Sequence, residues 1–521
     1  MAPQQRPELV QGGAVDRMTV APGEAARQKS GGAASGALLW VGLAFLAVAG
    51  LWQLVTGWRE GLQGGHDFVQ DYAAVIKIGD GRNPYSPYND VTQEIFGGPP
   101  HKGNLYSFHA PTSLPLLIWL LPFAKLGGYT AAFLAWGAVS FLSFWALCWL
   151  TLRAIGVRLA LLAGLLAALS LVTLPAVREC FEEGQLNVVV AAGMVGCWAA
   201  RREGRSGLAG VLLALGFALK PIPGLFFIYY AWRRDLRLLV AAAIALALLT
   251  LAGVGMSGLE GVRLWATVNY PSHASYWPGY PDNSSLQGYF TRIFGPSSSD
   301  WRPRPRFPLP YASLLLWAVS GGLLTLAALA VARGGFGVRA PRPWEPPQSP
   351  LAQQFSRLLP PSLPLDSPRG DLEIAVLTVL SLLVTPIVWP HYYVVLVMPV
   401  AVVVAYLGRL VLDGTVWYRP DPRKLPPPLT ATGEALDESA DLRPVATPAP
   451  FEPRRRIVPL VSLIALGLAT ALLASAHYVE PYRGVGGQLL VALLIVFGAS
   501  LVALGWSVRD YGDGRRPEPA R

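Results

Sequence analysis

The stretch YTAAFLAWGAVSFLSFWALCWLT, residues 129–151, carries no charged side chain. Wound as an α-helix with a rise of about 1.5 Å per residue, it is long enough to cross the roughly 30 Å hydrocarbon core of a bilayer. Similar apolar stretches recur at about 36–56, 159–177, 186–201, 238–256, 311–332, 372–388, 392–408, 457–476 and 485–506, with shorter pieces at 110–124, 207–219 and 222–232. The expected architecture is all-α and polytopic, with about 10–13 transmembrane or re-entrant helices.

Composition agrees with that reading. The 521 residues are 53% hydrophobic and 14% charged, whereas soluble domains are about a quarter charged. The 42 Lys+Arg against 32 Asp+Glu leave a formal charge of +10, but the arginines flank apolar segments. That pattern orients spans rather than binding nucleic acid. Cys148, Cys180 and Cys197 lie in or beside apolar segments without CxxC spacing, so neither a disulfide framework nor a zinc site is expected. The absence of a Walker loop, a GxGxxG turn and an HExxH motif argues against soluble nucleotide binding and zinc hydrolysis. No cofactor is expected, and a divalent ion is left open.

Charge also suggests sidedness. Arg153/Arg158, Arg201/Arg202/Arg205, Arg233/Arg234/Arg237, Arg333/Arg339/Arg342, Arg409 and Arg454/Arg455/Arg456 fall on one side if the spans alternate, and that side is read as the cytoplasm. Residues 1–35 read as a disordered cytoplasmic tail ahead of an uncleaved first helix. The segments 340–369 and 411–456 read as Pro-rich cytoplasmic linkers, 457–506 as a C-terminal helix pair and 507–521 as a cytoplasmic tail. Two long loops, about 57–110 and 257–310, then face the other side. Their Trp, Tyr, Asn, Asp and His content suits stacking on sugar rings, and equally an interfacial aromatic belt.

Alternation breaks at 110–124 and at GLAGVLLALGFALKPIPGLFFIYYAW, residues 207–232. The latter is too short to cross twice and reads as a broken hairpin with its tip at Lys220-Pro221-Ile222-Pro223-Gly224. Irregular backbone at membrane depth is tolerated only inside protein or beside a water-filled cavity. Lys220 interrupts an apolar run, which makes it a candidate for holding a phosphate as a point charge; the alternative is a lysine snorkelling at the membrane edge.

In His66-Asp67-Phe68-Val69-Gln70-Asp71-Tyr72, a helix would put Asp67 and Asp71 on one face at i,i+4 spacing, so that one could hold its proton while the other acts as a base. A helix cap or solvated carboxylates are the alternative. Gly81-Arg82-Asn83-Pro84-Tyr85 reads as a structural turn. Gln185 and Asn187 enter the membrane either to bind sugar hydroxyls or to pair helices. His391, in Trp389-Pro390-His391-Tyr392-Tyr393, is placed to orient a base or donate to a phosphate, or only to make an interfacial hydrogen bond. In the second loop, Asn283 and Gln287 are polar beside apolar sequence. Arg292, Arg302, Arg304 and Arg306 run against the positive-inside trend, either attracting a phosphorylated headgroup or lying in an extended linker.

Taken in order, Asp67-Phe68 with Tyr72-Ala73-Ala74, Gly81 with Asn83-Pro84-Tyr85, Gly184-Gln185-Leu186-Asn187, Ala209-Gly210 with Lys220-Pro221 and Pro223, Asn283-Ser284-Ser285-Leu286 and His391-Tyr392 resemble glycosyltransferase family 87. The resemblance covers roughly residues 36–410. It implies the GT-C membrane fold and inverting transfer of a sugar, most simply mannose, from a polyprenyl-phosphate donor to a lipid or glycan acceptor. The setting it implies is the extracytoplasmic face of the bacterial cytoplasmic membrane. Asp67, alone or with Asp71, would be the base; Lys220, Arg292 and His391 would hold the donor phosphate. Tyr72, Gln185, Asn187, Asn283 and Gln287 would contact sugar or acceptor. A transporter or flippase of lipid-linked sugars is the rival class. A catalytic carboxylate in a long outer loop, rather than at the bilayer midplane, separates the two.

Overall fold

The computed structural model describes residues 22–63, 66–87, 89–96, 113–157, 159–280, 282–295, 309, 311–332, 368–412, 454–475 and 485–512. Residues 1–21 of the first tail, most of both Pro-rich linkers and the Arg302–Arg306 run lie outside the described residues.

Among the described residues every regular element is helical. In chain order they are α1 (Pro22–Gly61), α2 (His66–Gly79), α3 (Asn89–Phe96), α4 (Leu114–Ala124), α5 (Tyr129–Ala154), α6 (Ala160–Leu171), α7 (Pro175–Glu182), α8 (Asn187–Arg202), α9 (Ser206–Leu219), α10 (Gly224–Trp232) and α11 (Leu236–Leu264). After a π turn at Trp265–Asn269 come α12 (Tyr270–Tyr276), α13 (Leu286–Phe294), α14 (Ala312–Ala332) and α15 (Pro368–Val384). A 3-10 turn at Pro390–Leu396 then leads into α16 (Val397–Leu412), α17 (Arg454–Ser475) and α18 (Val485–Gly512). The first helix begins at Pro22, inside the stretch read as a tail, because proline pre-sets the first-turn backbone and Ala25 and Ala26 favour helix.

Among the described residues five helices are long and apolar enough to cross a membrane: Trp40–Gly61, Tyr129–Ala154, Leu236–Ala274, Ala312–Ala332 and Pro390–Gly408. A sixth span results if α6 and α7, bent by 88° at their junction, are one broken crossing. Shorter apolar helices include Leu114–Ala124, Ser206–Leu219, Leu460–Ala469 and Leu490–Gly505. The protein is an all-α, polytopic membrane protein in which breaks divide several of the expected spans into shorter pieces. Along α11, Leu236, Val240, Ile244, Leu248 and Leu251 are exposed at three- or four-residue spacing. Such an outward apolar stripe suits lipid, while the helix's own hydrogen bonds satisfy its backbone.

The helices gather charged and polar side chains at both ends. At one end, the last turns of α8 and α10 meet the first turns of α11 and α15. Arg201 pairs with Asp235, Arg202 with Asp371 and Arg233 with Glu373. Arg369 reaches both Glu373 at 3.3 Å and the Ala332 carbonyl. Trp198 Nε1 donates to Asp371 at 2.9 Å, and the Tyr229 hydroxyl donates to Glu373 at 2.8 Å. Arg153 at the end of α5 joins the same end through Glu203, at 3.2 Å. The other end holds α2, α3, α7, α12, α13 and the 3-10 turn.

Candidate active site

The site is assembled on the turn after α7. Gly184 adopts φ +66°, a left-handed backbone that glycine takes without strain. A Cβ there would lie 2.6 Å from the Phe68 Cβ, so glycine also permits the close approach of α2. The Gln185 amide closes the turn on the Cys180 carbonyl at 2.8 Å, and Trp136 Nε1 donates to the Gly184 carbonyl at 2.9 Å. The Phe68 amide donates to the Glu183 carbonyl at 3.1 Å. The first turn of α2, carrying Asp67, is thereby joined to the turn that carries Gln185 and Asn187. Phe68 itself packs at 5.6 Å from Phe133 and 5.9 Å from Tyr129.

Lys220 arrives from the opposite direction. Pro221 disfavours helix at the preceding residue, and Lys220 is accordingly extended, with φ −149° and ψ 142°, ending α9. Its Nζ donates to Gln185 Oε1 at 2.8 Å and lies 4.5 Å from the centre of the Tyr392 ring. Asn187 Nδ2 donates to the same Gln185 oxygen at 3.4 Å. The Asn187 Oδ1, in a fully buried side chain, has no hydrogen-bond partner among the described residues.

His391 completes the group. Its Nδ1 lies 3.1 Å from Glu179 Oε1, and Cys180 Sγ donates to its carbonyl at 3.1 Å. His391 is 6% exposed, and its Nε2 has no partner among the described residues. Asp67, Glu179 and Lys220 all act electrostatically at the buried Cys180. A half-exposed carboxylate, an ammonium and an imidazole thus share one neighbourhood. A buried polar atom without a partner costs about 1–3 kcal/mol, and a ligand's polar atoms are able to recover that cost.

The two aspartates part company. Both lie on α2, but Asp67 is partly exposed, accepting from Gln70 Nε2 at 3.3 Å, while Asp71 is buried and acts electrostatically at Tyr85. Burial, with Asp71 nearby, pushes the Tyr85 phenol up, and burial likewise raises Tyr72. Both phenols therefore stay neutral. Tyr72 sits within the aromatic cluster behind Asp67, 5.8 Å from Phe68 and 5.6 Å from Tyr129.

Asn283 is fully buried, and its amide is engaged by four backbone groups. Its Nδ2 donates to the Pro278 and Pro386 carbonyls at 3.1 and 3.0 Å, and its Oδ1 accepts from Ser285 at 3.1 Å and Val388 at 2.9 Å. Arg292 donates to the Tyr280 and Asn283 carbonyls at 2.9 and 2.7 Å, leaving Nη2 buried and without a partner among the described residues. Desolvation pushes Arg292 down to about 10. Gln287 is half-buried on α13. Asn283, with Ser284 and Ser285, ties the second loop to the segment leading to His391, beside the Lys220 group rather than within its hydrogen bonds. Among the described residues no group of three or more His, Cys, Asp or Glu side chains is placed to hold a metal.

Sequence reasoning missed two residues here. Glu179 orients His391 from 212 positions away, a pairing no local pattern signals. Lys77 did carry a signal: like Lys220, it interrupts an apolar run, AAVIKIG. It is 1% exposed, donates to Ser86 Oγ at 2.8 Å and to the Pro87 carbonyl, and pairs with Asp90 at 3.2 Å. Those bonds hold the 80–87 turn that places Tyr85 beside Asp71.

Comparison with known proteins agrees with the motifs. A polyprenol-phosphate-mannose-dependent alpha-(1-2)-phosphatidylinositol mannoside mannosyltransferase of Mycolicibacterium smegmatis is 27% identical over 280 residues, 54% of this chain and 52% of that protein. The protein of the same description from Mycobacterium tuberculosis is 26% identical over 248 residues, 47% of each chain. The chain spans about half the length of the curated relatives it matches. No solved structure matches. Residues 112–345, which include Gln185, Asn187, Lys220, Asn283, Gln287 and Arg292, match glycosyltransferase family 87, the family the ordered motifs resemble.

Proposed function

We propose that this protein is a membrane glycosyltransferase that moves mannose from a polyprenyl-phosphate donor to a lipid-linked acceptor, with inversion. The observation that carries this reading is that the first turn of α2, which bears Asp67, is bonded through the Phe68 amide to the Gly184 turn, whose Gln185 accepts from Lys220 and Asn187 and whose Cys180 donates to the His391 carbonyl. The relatives, described as mannosyltransferases using polyprenol-phosphate-mannose and a phosphatidylinositol mannoside, support the donor and the lipid character of the acceptor.

In this reading Asp67 takes the proton of the acceptor hydroxyl as its oxygen attacks the anomeric carbon. The bond from that carbon to the phosphate oxygen breaks, and the polyprenyl phosphate leaves with the electron pair. Lys220 meets its charge, helped by the His391 Nε2 when that atom carries a proton. Asp71 supports α2 rather than acting as a second base. The arginine-rich end lies toward the cytoplasm by the positive-inside rule, which puts the site on the extracytoplasmic face of the cytoplasmic membrane.

The test is transfer from radiolabelled polyprenyl-phosphate-mannose to membrane acceptors at equal folded abundance. Asp67→Asn is expected to lower turnover by about 10²–10⁴-fold, the usual worth of a general base. Unchanged turnover would remove Asp67 from the mechanism. A wild type that transfers no sugar from any polyprenyl-phosphate donor, but moves lipid-linked sugar across vesicles, would favour a flippase.

A further inference from the structure

Three aromatic rings form a cluster that the reaction scheme above does not use. Trp277 and Tyr280 come from the loop after α12, and Trp389 comes from the segment that ends at His391. Trp277 and Trp389 meet edge to face at 5.5 Å and 79°, Tyr280 and Trp389 at 4.9 Å and 67°, and Trp277 and Tyr280 at 5.6 Å and 63°. All three are half-buried, so each ring packs on its neighbours yet keeps exposed surface. Trp277 Nε1 donates to His273 Nδ1 at 2.9 Å, which fixes the indole plane.

The backbone beneath these rings is held with unusual thoroughness. Asn283 bonds to Pro278 on one side and to Pro386 and Val388 on the other, bridging the two segments that carry the rings. Arg292 holds the Tyr280 carbonyl, Ser284 Oγ donates to the Val388 carbonyl at 3.0 Å, and the Tyr393 hydroxyl donates to Ser284 Oγ at 2.6 Å. An interfacial belt requires only that aromatic rings sit at headgroup depth; it does not require buried amide and guanidinium groups to set their relative positions. Two residues past Trp389, the chain turns inward to His391, whose Nε2 lacks a partner among the described residues, and to Tyr392 against Lys220.

We infer that Trp277, Tyr280 and Trp389 form a stacking platform for a pyranose ring of the acceptor glycan, beside the donor-phosphate group. The apolar C–H face of a pyranose lies on an aromatic ring, while its hydroxyls reach polar atoms at the rim. Asn283 and Arg292 act through this platform as positioning residues. The inference rests on the sugar-transfer reading of the Lys220 site and names where the acceptor lies.

The experiment uses full-length protein in nanodiscs, with octyl α-mannopyranoside as the acceptor probe and two readouts. Steady-state transfer from polyprenyl-phosphate-mannose is expected to show the acceptor KM raised about tenfold in Trp389→Ala and Trp277→Ala, the equivalent of about 1.4 kcal/mol. The donor KM stays within about twofold, and Trp389→Phe restores most of the loss, as an aromatic face requires. Saturation-transfer NMR is expected to show the mannoside ring protons contacting wild-type protein and losing that contact in Trp389→Ala. Unchanged acceptor KM and ring-proton saturation in both folded alanine variants would overturn the platform. So would a rise in donor KM alone, or a wild type whose saturation reaches only the octyl chain. If wild type transfers nothing but ring-proton contact is present and lost in Trp389→Ala, the platform is supported and the donor reading fails.

Discussion

The two ends of the helix bundle handle buried polarity in opposite ways. At the arginine end, Arg233 and Arg369 share Glu373, while Arg202 and Trp198 share Asp371, so each carboxylate has at least two donors. At the Gly184 end, Asn187 Oδ1, His391 Nε2 and Arg292 Nη2 are buried without partners among the described residues. Polar groups matched to one another stabilise a fold, whereas matched geometry with unmatched atoms is what a ligand completes. On the proposed reading the first end is a clamp and the second a receptor, although both are built from helix ends joined by short turns.

The comparison breaks most directly at Glu373. Glu373→Ala leaves Arg233 and Arg369 buried without their shared carboxylate, and stability should fall by about 3–5 kcal/mol. A thermal melt in nanodiscs checks it; a shift too small to measure would mean the clamp is not structural. The contrasting variant is Lys220→Ala, which on the proposed reading removes a charge-assisted contact to the donor phosphate. A loss of about 1.5–3 kcal/mol in donor binding, roughly 10–100-fold, is expected with little change in melting. If instead it melts like Glu373→Ala with donor affinity intact, the two ends are alike.

Lys77→Met sharpens the boundary between receptor and support. It strips the 80–87 turn of a buried donor at a cost of about 1–3 kcal/mol. Hydrogen exchange should rise at the amides of that turn, and acceptor turnover should fall only through the displaced Tyr85. Exchange rising equally throughout α2–α5 would show that the turn stabilises the whole end.

The smallest effect is a pH dependence at Asp90. Partial burial works to raise this carboxyl, but the Val91 amide, the Lys77 hydrogen bond and the charges of Lys77 and Arg82 outweigh it, and its pKa lies below the ordinary 3.8. The folded state therefore binds its proton less readily than the unfolded chain. The stability it contributes is present above the ordinary value and is lost as pH falls through the folded one. Because Asp90 is half exposed, the contribution is under about 1 kcal/mol, read as faster exchange in the 80–90 segment on acidification in wild type but not in Asp90→Asn.

Much of this was legible in the chain itself. Lengths and hydropathy determine an all-α membrane protein, because the bilayer requires a minimum apolar length and leaves few alternatives for the backbone. The break at Lys220 was legible too, since Lys-Pro-Ile-Pro-Gly cannot continue a helix, and so was the helix that places Asp67 and Asp71 four apart. Tertiary structure alone decided that Asp71 is buried beside Tyr85 while Asp67 stays open, that Glu179 holds His391, and that Asn283 is engaged by backbone. It also decided that Glu373, 140 residues from Arg233, closes the opposite end. Local periodicity reports which face of a helix is apolar. Which distant side chains meet depends on how the helices pack, and hydrogen bonds between them form only after that packing is set.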